Sequence, residues 1–597
     1  MNQIILKLCL LLLTYGWSNS MLLAQSKNVI FILVDDQGWN GTSHRMDATA
    51  ANSKSDYYIT PSVEQLATEG VTFSQAYSPG AKCSPSRNSI LLGRSPAKTL
   101  FTNTAGAVDS SRYLLEPSSS TTINPNRRTF VEVVKQENAN YLTGHYGKWH
   151  LGTGGPAVHG FDRGDGNTSN SDGDSGGGIQ TDPKKINTIT DSAIAFIQDA
   201  RATNRPFYLQ LSHYAVHSPI ELSQATNTLY NTPGARPVGT IHDNLTYGAM
   251  TEDLDLSVGR LLDSLANWGL DTNTYVVYMS DNGGASGFSS NSPLKNGKTF
   301  LSEGGIRVPL IIRGPQVVAN SYNNDPVVGY DLYRTFIEWM VGTANISSSV
   351  EGVSLANILT NTNTPLNRAE ALFFHRPHYD LSAINLPESA IIRDSFKFRV
   401  DYEQGIFELY NLRQDIGETQ DLSAVETQLA KQMCIELRDY LKTVGAAMPK
   451  LNPNHANAGG GMSPDVDNDG LDDEWEFREL LTVKYDATDD PDGDNLDNAT
   501  EFANGTDPYV ANIGATIENL EEEVTPVTIF PQPATNELFI RSQLEYNRAL
   551  LYDYTGRVLL RKTKQDVLNV KNLKAGVYFL VLMNNGERVY TQEVVVQ

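Results

Sequence analysis

The sequence predicts an α/β region, followed by an acidic stretch of loop repeats and an all-β domain at the C-terminus. Three observations predict this order. Apolar runs at 28–34 and 275–280 each end in carboxylates, residues 465–501 repeat a spaced pattern of Asp and Asn, and short alternating runs follow residue 526. Continuous apolar runs are typical of strands buried on both faces of a sheet, whereas alternation is typical of strands with one exposed face.

Length, charge and cysteine content narrow the class of protein. The chain has 597 residues, of which 40% are hydrophobic. A chain of this length is expected to form about two to four domains. The formal net charge of −23 argues against nucleic-acid binding, so an anionic ligand requires a local cluster of cations. The three cysteines, Cys9, Cys83 and Cys434, predict no disulfide framework.

Composition divides the chain into five predicted segments. Residues 1–24 have one charge, Lys7, and a short apolar core. This pattern is typical of a secretory signal peptide, and the core is too short for a transmembrane span. The remaining segments are a larger part of the α/β region at 25–354, its smaller part at 355–451, an acidic linker at 452–523 and the β domain at 524–597.

Two of the predicted strands end in residues that could bind a metal ion. Asp35 and Asp36 follow the first apolar run, and Asp281 and Asn282 follow the second. In open α/β sheets ligands bind at the carboxyl ends of strands, and adjacent carboxylates there need a compensating cation. Hard oxygen ligands suit Ca²⁺ or Mg²⁺ better than Zn²⁺, and the sequence does not choose between the first two.

A single cysteine is predicted just before a helix. A Pro-Gly turn precedes Cys83, and Ser84 and Pro85 are typical of a helix start. The free N–H groups of a helix N-terminus favour negative charge, to which Arg87 adds a cation. For the cysteine taken alone, a packing role is the alternative interpretation.

Further cations lie in predicted loops. Lys148 and His150 are two residues apart in a glycine-punctuated loop, where an extended backbone would project both to one side. His217 follows a third strand-like run, and Lys298 lies in a Gly-bounded loop after the second strand end. Loops over a rigid sheet often carry chemistry, although structural histidines and surface lysines are the alternative interpretation.

The segment Cys83-Ser84-Pro85-Ser86-Arg87, followed by Leu-Gly-Arg, resembles the signature of the formylglycine-dependent sulfatases. The other segments occur in the order that this family shows. The resemblance implies an alkaline-phosphatase-like mixed sheet flanked by helices, and oxidation of Cys83 to formylglycine by a formylglycine-generating or sulfatase-maturating enzyme. It also implies a Ca²⁺ site and a catalytic sulfate pocket. The implied Ca²⁺ ligands are Asp35, Asp36, Cys83, Asp281 and Asn282. The implied catalytic residues of the sulfate pocket are Cys83, Arg87, Lys148, His150, His217 and Lys298.

The implied chemistry is hydrolysis of a sulfate ester. One hydroxyl of the hydrated aldehyde attacks sulfur, and His217 protonates the leaving alcohol. His150 then deprotonates the second hydroxyl, which expels sulfate. The expected substrate is a sulfated polysaccharide or oligosaccharide, and 104–128 and 164–178 are candidate sugar-contacting loops or plain surface. The alternatives are a phosphonate or phosphate monoester hydrolase on the same fold and a non-catalytic calcium-binding surface adhesin.

The region from 355 to 451 is predicted to be a small α+β subdomain. Short strand-like runs at 390–392 and 396–400 precede an amphipathic stretch at 424–443, in which apolar residues recur at helical spacing. The segment resembles the smaller C-terminal subdomain of the same family. Plain core and turn structure is the alternative interpretation.

The acidic stretch contains two matches to the twelve-residue Ca²⁺ loop. Asn495 replaces the turn glycine in the second match, which Asn permits because it tolerates a left-handed backbone. The stretch resembles thrombospondin type 3 and dockerin-like repeats, and a solvated linker is the alternative. The spacing predicts two ligand sets, namely Asp465, Asp467, Asp469, Asp473 and Glu476, and Asp490, Asp492, Asp494, Asn498 and Glu501.

The C-terminal segment is predicted to be an all-β sandwich. Alternating runs separated by Gly-containing turns occur between residues 527 and 596. Segments such as Phe530–Ala534 and Leu573–Tyr578 resemble the sorting domain of the bacterial type IX secretion system. A carbohydrate-binding sandwich is the alternative. The resemblance implies that the type IX machinery is a partner and that the protein is secreted or displayed on the cell surface.

Overall fold

The computed structural model describes most of the chain after the predicted signal peptide, which lies outside the described residues. The chain divides between residues 511 and 512 into two compact units. The described residues are 26–104, 111–152, 154–342, 344–380, 385–456, 465–512, 527–530, 534–542, 544–552, 558–563, 567–584 and 587–596.

The first unit is built from strands and helices in mixed order. Its strands are β1 (Asn28–Val34), β2 (Gly70–Phe73), β3 (Ala76–Tyr77), β4 (Leu114–Leu115), β5 (Leu142–Gly147), β6 (Arg163–Gly164), β7 (Gly178–Ile179), β8 (Phe207–Ser212), β9 (Glu221–Leu222), β10 (Thr274–Ser280), β11 (Leu310–Arg313), β12 (Ser321–Asn323), β13 (Val327–Val328), β14 (Leu372–Arg376), β15 (Glu388–Arg393), β16 (Phe396–Asp401), β17 (Ile406–Asn411) and β18 (Lys450–Leu451). Its helices are α1 (Pro61–Thr68), α2 (Cys83–Leu92), α3 (Pro96–Thr99), α4 (Phe130–Glu137), α5 (Ile186–Ala202), α6 (Gln224–Asn231), α7 (Leu245–Asn267), α8 (Glu303–Ile306), α9 (Leu332–Val341), α10 (Ala356–Thr360), α11 (Thr427–Val444), α12 (Asp473–Glu479) and α13 (Asn498–Asn504).

The central sheet has eight strands in the order β12-β2-β11-β10-β1-β8-β5-β6. Strand β1 is parallel to β8 and β10, whereas β11 is antiparallel to β10 and β2. Val34, the last residue of β1, is aligned with Ser280, the last residue of β10. The residues that follow these two strands therefore emerge side by side, and the mixed sheet confirms the predicted α/β class.

Both faces of β1 are covered by helices, which explains its continuous apolar run. Val29, Phe31 and Leu33 pack into a core with residues of α2, α4 and α9. Ile30 and Ile32, on the opposite face, pack into a second core with residues of α1, α5 and α7. Because successive side chains of a strand point to opposite faces, a strand covered on both sides must be apolar at every position.

The smaller part of the first unit is an antiparallel sheet, β14-β15-β16-β17, with α11 packed against it. The amphipathic helix predicted at 424–443 is observed at Thr427–Val444. The acidic stretch is not a separate linker, because Phe477 and Leu480, which follow its first loop, lie in the same hydrophobic core as Leu437 of α11. This packing places both predicted calcium loops within the first compact unit.

The second unit consists of two antiparallel sheets around one core. Their orders are β19-β20-β23 and β22-β21-β24-β25, and the core contains Leu538, Leu551 and Leu580. Several predicted turns, including 584–586, lie wholly or partly outside the described residues. Within the described part of the chain, helices are too short or too polar to cross a membrane. The strands are β19 (Val527–Phe530), β20 (Glu537–Ser542), β21 (Arg548–Tyr552), β22 (Val558–Thr563), β23 (Val567–Asn569), β24 (Gly576–Asn584) and β25 (Glu587–Val596).

Candidate active site

The ends of β1 and β10 form a buried cluster of oxygen atoms. The backbone N–H of Asp36 donates to Oδ1 of Asp281 at 3.2 Å, and the side-chain amide of Asn282 donates to Oδ1 of Asp36 at 2.8 Å. Ligand atoms of Asp35, Asp36, Asp281 and Cys83 all lie within 4.8 Å of one another. The structure thus brings together the metal-ligand residues that the sequence predicts at the two strand ends.

Cys83 is the first residue of α2 and Lys82 is its N-cap, so the helix begins earlier than the start at Ser84 and Pro85 that the sequence predicts. Its side chain is buried, and burial raises the pKa of the thiol to about 11, although Lys148 and Lys298 oppose this shift. The unmodified thiol is therefore neutral near pH 7. Because the thiolate is the nucleophilic form of cysteine, Cys83 as encoded is a poor nucleophile.

Each of the three carboxylates in the cluster is paired with one cation. The pairs are Arg87 with Asp281 (Nη2 to Oδ2, 2.8 Å), Lys148 with Asp35 (Nζ to Oδ2, 2.5 Å) and Lys298 with Asp36 (Nζ to Oδ1, 2.7 Å). Arg87 is held further by a bond from Nη1 to the carbonyl oxygen of Lys148 at 2.7 Å. The three predicted cations therefore surround the cluster, and the formal charges of the three pairs cancel.

The pKa values of Asp35 and Asp281 are shifted in opposite directions. Burial opposes the ionisation of Asp35, but Lys148, His217 and Arg87 hold its pKa well below its usual range. Burial and the charge of Asp35 raise the pKa of Asp281 to about 6, against the effect of Arg87. Crowded carboxylates of this kind are stabilised by a bound cation.

The two predicted catalytic histidines lie at the same site in different environments. Burial, Lys148 and Arg87 lower the pKa of His150 to about 3, so its imidazole is neutral near pH 7. Nδ1 of His150 is buried and has no partner among the described residues. Nδ1 of His217 lies 2.5 Å from the carbonyl oxygen of Ser218, and Nε2 lies 3.7 Å from Oδ2 of Asp36. His217 therefore donates through Nδ1 and presents Nε2 to the cluster.

Two positioning residues were not predicted from the sequence. The carbonyl oxygen of Thr168 accepts a hydrogen bond from the backbone N–H of His150 at 2.8 Å. The hydroxyl of Thr168 accepts one from the backbone N–H of Trp149 at 2.9 Å. A side chain at Gly283 has no space, because a Cβ there would lie 1.9 Å from the carbonyl oxygen of Gly304. The Gly-Gly pair after Asn282 is a sequence signal for this close approach, whereas no local signal identifies Thr168.

Two further histidines, His145 and His213, lie in the protein core. Nε2 of His145 lies 3.2 Å from the hydroxyl of Ser212, and its ring packs against Trp149. Burial lowers the pKa of His145 to about 3 and that of His213 to about 4. Both rings are therefore neutral core residues near pH 7.

The first acidic loop encloses a buried carboxylate. Both oxygens of Glu476 are buried and have no hydrogen-bond partner in the described ranges. Burial, followed by the charges of Asp467 and Asp469, raises the pKa of Glu476 to about 10. Ligand atoms of these three residues lie within 4.8 Å, as do those of Asp465, Asp467 and Asp473. Unpaired buried carboxylates are costly unless a cation binds them.

The second acidic loop repeats the backbone pattern of the first. Asn495 has φ of 70°, the left-handed conformation that the sequence predicts, and its N–H donates to Oδ2 of Asp490 at 2.9 Å. In the first loop the N–H of Gly470 donates to Oδ2 of Asp465 at 3.1 Å. Ligand atoms of Asp490, Asp492 and Asp494 lie within 4.8 Å, and the side chains of Asn498 and Glu501 are buried.

Models of known families match most of the chain. The model described as "Sulfatase" matches residues 27–343, which is more than half of the sequence. The model "N-sulphoglucosamine sulphohydrolase, C-terminal" matches residues 296–445, and "Secretion system C-terminal sorting domain" matches residues 528–597.

Individual proteins show the same similarity. A protein named "Sulfatase" from Formosa agariphila is 28% identical over 501 residues, which cover 70% of this chain and 89% of that protein. N-acetylgalactosamine-6-sulfatase of Mus musculus is 30% identical over 329 residues, covering 49% of this chain and 58% of the mouse protein. The crystal structure of Ps i-CgsB has a TM-score of 0.57 at 24% identity, covering 70% of this chain and 93% of that chain, and thus shares the fold.

Proposed function

The chain belongs to the sulfatase family and is a sulfatase with a type IX sorting domain, and we propose that it desulfates a polysaccharide or oligosaccharide outside the cell. One observation carries the proposed mechanism. Cys83 stands at a helix start with its sulfur among the carboxylates of Asp35, Asp36 and Asp281, within 4.8 Å of their ligand atoms. We propose that Cys83 is oxidised to formylglycine there.

The residues at the strand ends fit a divalent cation, which we propose is Ca²⁺. Oδ1 of Asp35 and Oδ1 of Asn282 are buried and accept no hydrogen bond from the described residues. Carboxylate and amide oxygens are the ligands that Ca²⁺ and Mg²⁺ prefer. The holding residues are Asp35, Asp36, residue 83, Asp281 and Asn282. The formylglycine hydrate would supply a nucleophilic oxygen, and the cation, when bound, would lower the pKa of that hydroxyl.

The charges of the site suit an anionic ester. The three carboxylates and the three cations of the cluster cancel formally, so a divalent cation leaves a net charge of +2 for an anionic substrate. Arg87, Lys148 and Lys298 then stabilise negative charge on the non-bridging sulfate oxygens. Their ion pairs fix these cations before substrate enters, which lowers the cost of reorganisation during the reaction.

The two histidines act in different steps of the reaction, one as a proton donor and the other as a proton acceptor. When its ring carries a proton on both nitrogens, His217 donates from Nδ1 to the carbonyl of Ser218 and gives the Nε2 proton to the leaving alcohol oxygen. His150, whose ring is neutral near pH 7, would accept the proton of the second hydroxyl of residue 83 as sulfate is released. The hydrogen bonds from the backbone of Trp149 and His150 to Thr168 hold the ring of His150 at the site.

Placement supports a polymeric substrate. A sorting domain delivers the enzyme to the surface, where polymers too large for import are met. Some of its relatives are named N-acetylgalactosamine-6-sulfatase, a name that refers to a sulfated amino sugar. The loop at 164–178, one of the two candidate sugar-contacting loops, is held by Glu221, whose carboxylate accepts the N–H of Gly177 at 3.2 Å.

We further propose that the acidic loops bind structural Ca²⁺. The support is the buried carboxylate of Glu476, whose oxygens find no donor in the described part of the chain. The proposed ligands are the two predicted sets, at 465–476 and 490–501. Because α12 packs into the core of the small subdomain, Ca²⁺ there would stabilise that subdomain.

A comparison of substrates tests the proposal. Purified enzyme co-produced with a maturation enzyme is assayed on p-nitrophenyl sulfate, p-nitrophenyl phosphate and a panel of sulfated glycan oligosaccharides, with Cys83→Ala as the control. We expect hydrolysis of the sulfates, the highest kcat/KM on a glycan, and formylglycine in the peptide that contains residue 83. Preference for the phosphate ester would overturn the proposed specificity, and an unmodified thiol in active enzyme would overturn the mechanism.

A further inference from the structure

We propose that a second anion site, at the far end of α2 from Cys83, binds a sulfate group of a polysaccharide without hydrolysing it. The site is a cavity of about 290 Å³ whose cationic lining consists of Arg94, Lys98, Arg127 and Arg128. We call it the basic pocket. The proposal rests on the proposed function for the nature of the polymer, but not for the presence of an anion site.

The basic pocket concentrates positive charge that carboxylates neutralise only in part. Among the described residues, Lys98 alone of its four cations lies within 4 Å of a carboxylate, with Nζ 3.7 Å from Oε1 of Glu351. The pocket lining contains Asn, Ser, Val and Tyr besides the cations, and no acidic residue. In a chain of net charge −23, such a group of cations can attract an anion locally.

The arginines of the basic pocket are held in place by neutral acceptors. Arg94 donates from Nη2 to the hydroxyl of Ser349 at 2.6 Å and from Nε to its carbonyl at 3.1 Å. Nη1 of Arg127 donates to the carbonyl of Lys98 at 2.9 Å. Burial and the repulsion of Arg127 lower the pKa of Arg94. An oxyanion would accept the remaining N–H groups and relieve this repulsion, because guanidinium groups match the geometry of sulfate oxygens.

One segment of chain connects the basic pocket with the active site. The backbone N–H of Ile123 donates to the carbonyl of Leu151, next to His150, at 3.2 Å. Arg127 follows four residues later, and an extended chain spans at most about 3.5 Å per residue, so the pocket lies within about 20 Å of His150. A sulfated chain of a few sugars is long enough to cover a distance of this size. This segment belongs to the predicted sugar-contacting loop at 104–128.

The test compares two pairs of substitutions that change net charge equally. The pocket variant is Arg127→Gln with Arg128→Gln, and the control is Arg201→Gln with Arg260→Gln, two exposed arginines elsewhere on the surface. Binding of dextran sulfate, unsulfated dextran and sodium sulfate is measured by calorimetry at low and high salt. We expect the Kd for dextran sulfate to rise at least about tenfold in the pocket variant only, with a weaker dependence on salt.

The same variants separate this inference from the proposed function. We expect kcat/KM for p-nitrophenyl sulfate to stay within about twofold of wild type in both variants, because the basic pocket does not contact the reacting group. Equal Kd values for dextran sulfate in the two variants would overturn the inference, and so would binding of sodium sulfate as tight as that of the polymer. Pocket-dependent binding by an enzyme without sulfatase activity would support the inference while refuting the proposed function.

Discussion

Nζ of Lys148 lies 2.5 Å from Oδ2 of Asp35, and both side chains are almost completely buried. The pair joins the loop after β5 to the end of β1, two positions separated by 113 residues. A buried ion pair of this kind fixes the position of the ammonium group only while both partners are present. The pair therefore joins a residue of the proposed sulfate pocket to a residue of the proposed metal site.

Replacing Lys148 with Gln should reduce catalysis strongly. The substitution removes a cation that is positioned for the sulfate oxygens and leaves the charge of Asp35 buried beside fewer partners. We expect kcat/KM on p-nitrophenyl sulfate to fall by about 10²- to 10³-fold, the loss that follows removal of one preorganised donor. The exposed Lys185→Gln is the matched control, and a fall of less than about fivefold for Lys148→Gln would contradict the assigned role.

Substitutions of Cys83 should separate the nucleophilic attack on sulfur from the release of sulfate. Cys83→Ala should abolish turnover while leaving the thermal midpoint near that of wild type, because the change is small and local. Cys83→Ser retains one hydroxyl and lacks the second that would expel sulfate. We expect it to accumulate a stable sulfate ester on residue 83, detected by mass spectrometry of the peptide. Multiple turnovers by Cys83→Ser would refute the requirement for formylglycine.

Calcium should reverse the effect of changing Glu476. Without Ca²⁺ the buried carboxylate of Glu476 opposes folding, so Glu476→Gln should raise the midpoint of thermal unfolding in chelator. Because the variant lacks one Ca²⁺ ligand, added Ca²⁺ should raise its midpoint of thermal unfolding less than that of wild type. Thermal scans of both proteins with chelator and with excess Ca²⁺ measure this. Limited proteolysis of residues 463–508 that is the same with and without chelator would argue against structural Ca²⁺.

Acid should destabilise the protein through buried histidines such as His375. Burial lowers its pKa from 6.5 to about 4, so the folded state keeps the ring neutral. Between those pH values the unfolded chain binds a proton that the folded chain does not, and stability falls as pH falls. The loss is about 1.4 kcal/mol per pH unit for one group. Urea unfolding at pH 6.5 and 5 should therefore show a smaller loss for His375→Gln, and an identical loss would contradict this interpretation.

The C-terminal unit should be dispensable for hydrolysis. It begins at residue 512 as a separate compact unit with its own core. We expect removal of residues 524–597 to leave kcat/KM of the purified enzyme unchanged and to prevent its appearance at the cell surface. Fractionation of cells that produce the full and the shortened chain measures delivery. Loss of activity in the purified, folded short form would show that the unit contributes to the site.

The strand-end residues were predictable because they depend on local sequence. The apolar run before Asp35 and the one before Asp281 each end at the predicted residue, and parallel pairing brings them together. The pairing of Lys148 with Asp35 was not predictable, because it depends on where β5 lies in the sheet. The acidic stretch was expected to be a linker, and its packing against α11 depends on apolar residues such as Phe477, whose partners are far away in sequence.

The burial of Cys83 sets an order of events during biosynthesis. In the folded chain its side chain is 3% exposed, so an oxidising enzyme could not reach the sulfur atom. We therefore expect oxidation before folding, on the newly made chain. Folded protein isolated with a thiol should then resist conversion by a maturation enzyme that still converts an unfolded peptide spanning residues 79–94. On this view, a kinetic competition between oxidation and folding determines how much of the secreted protein is active.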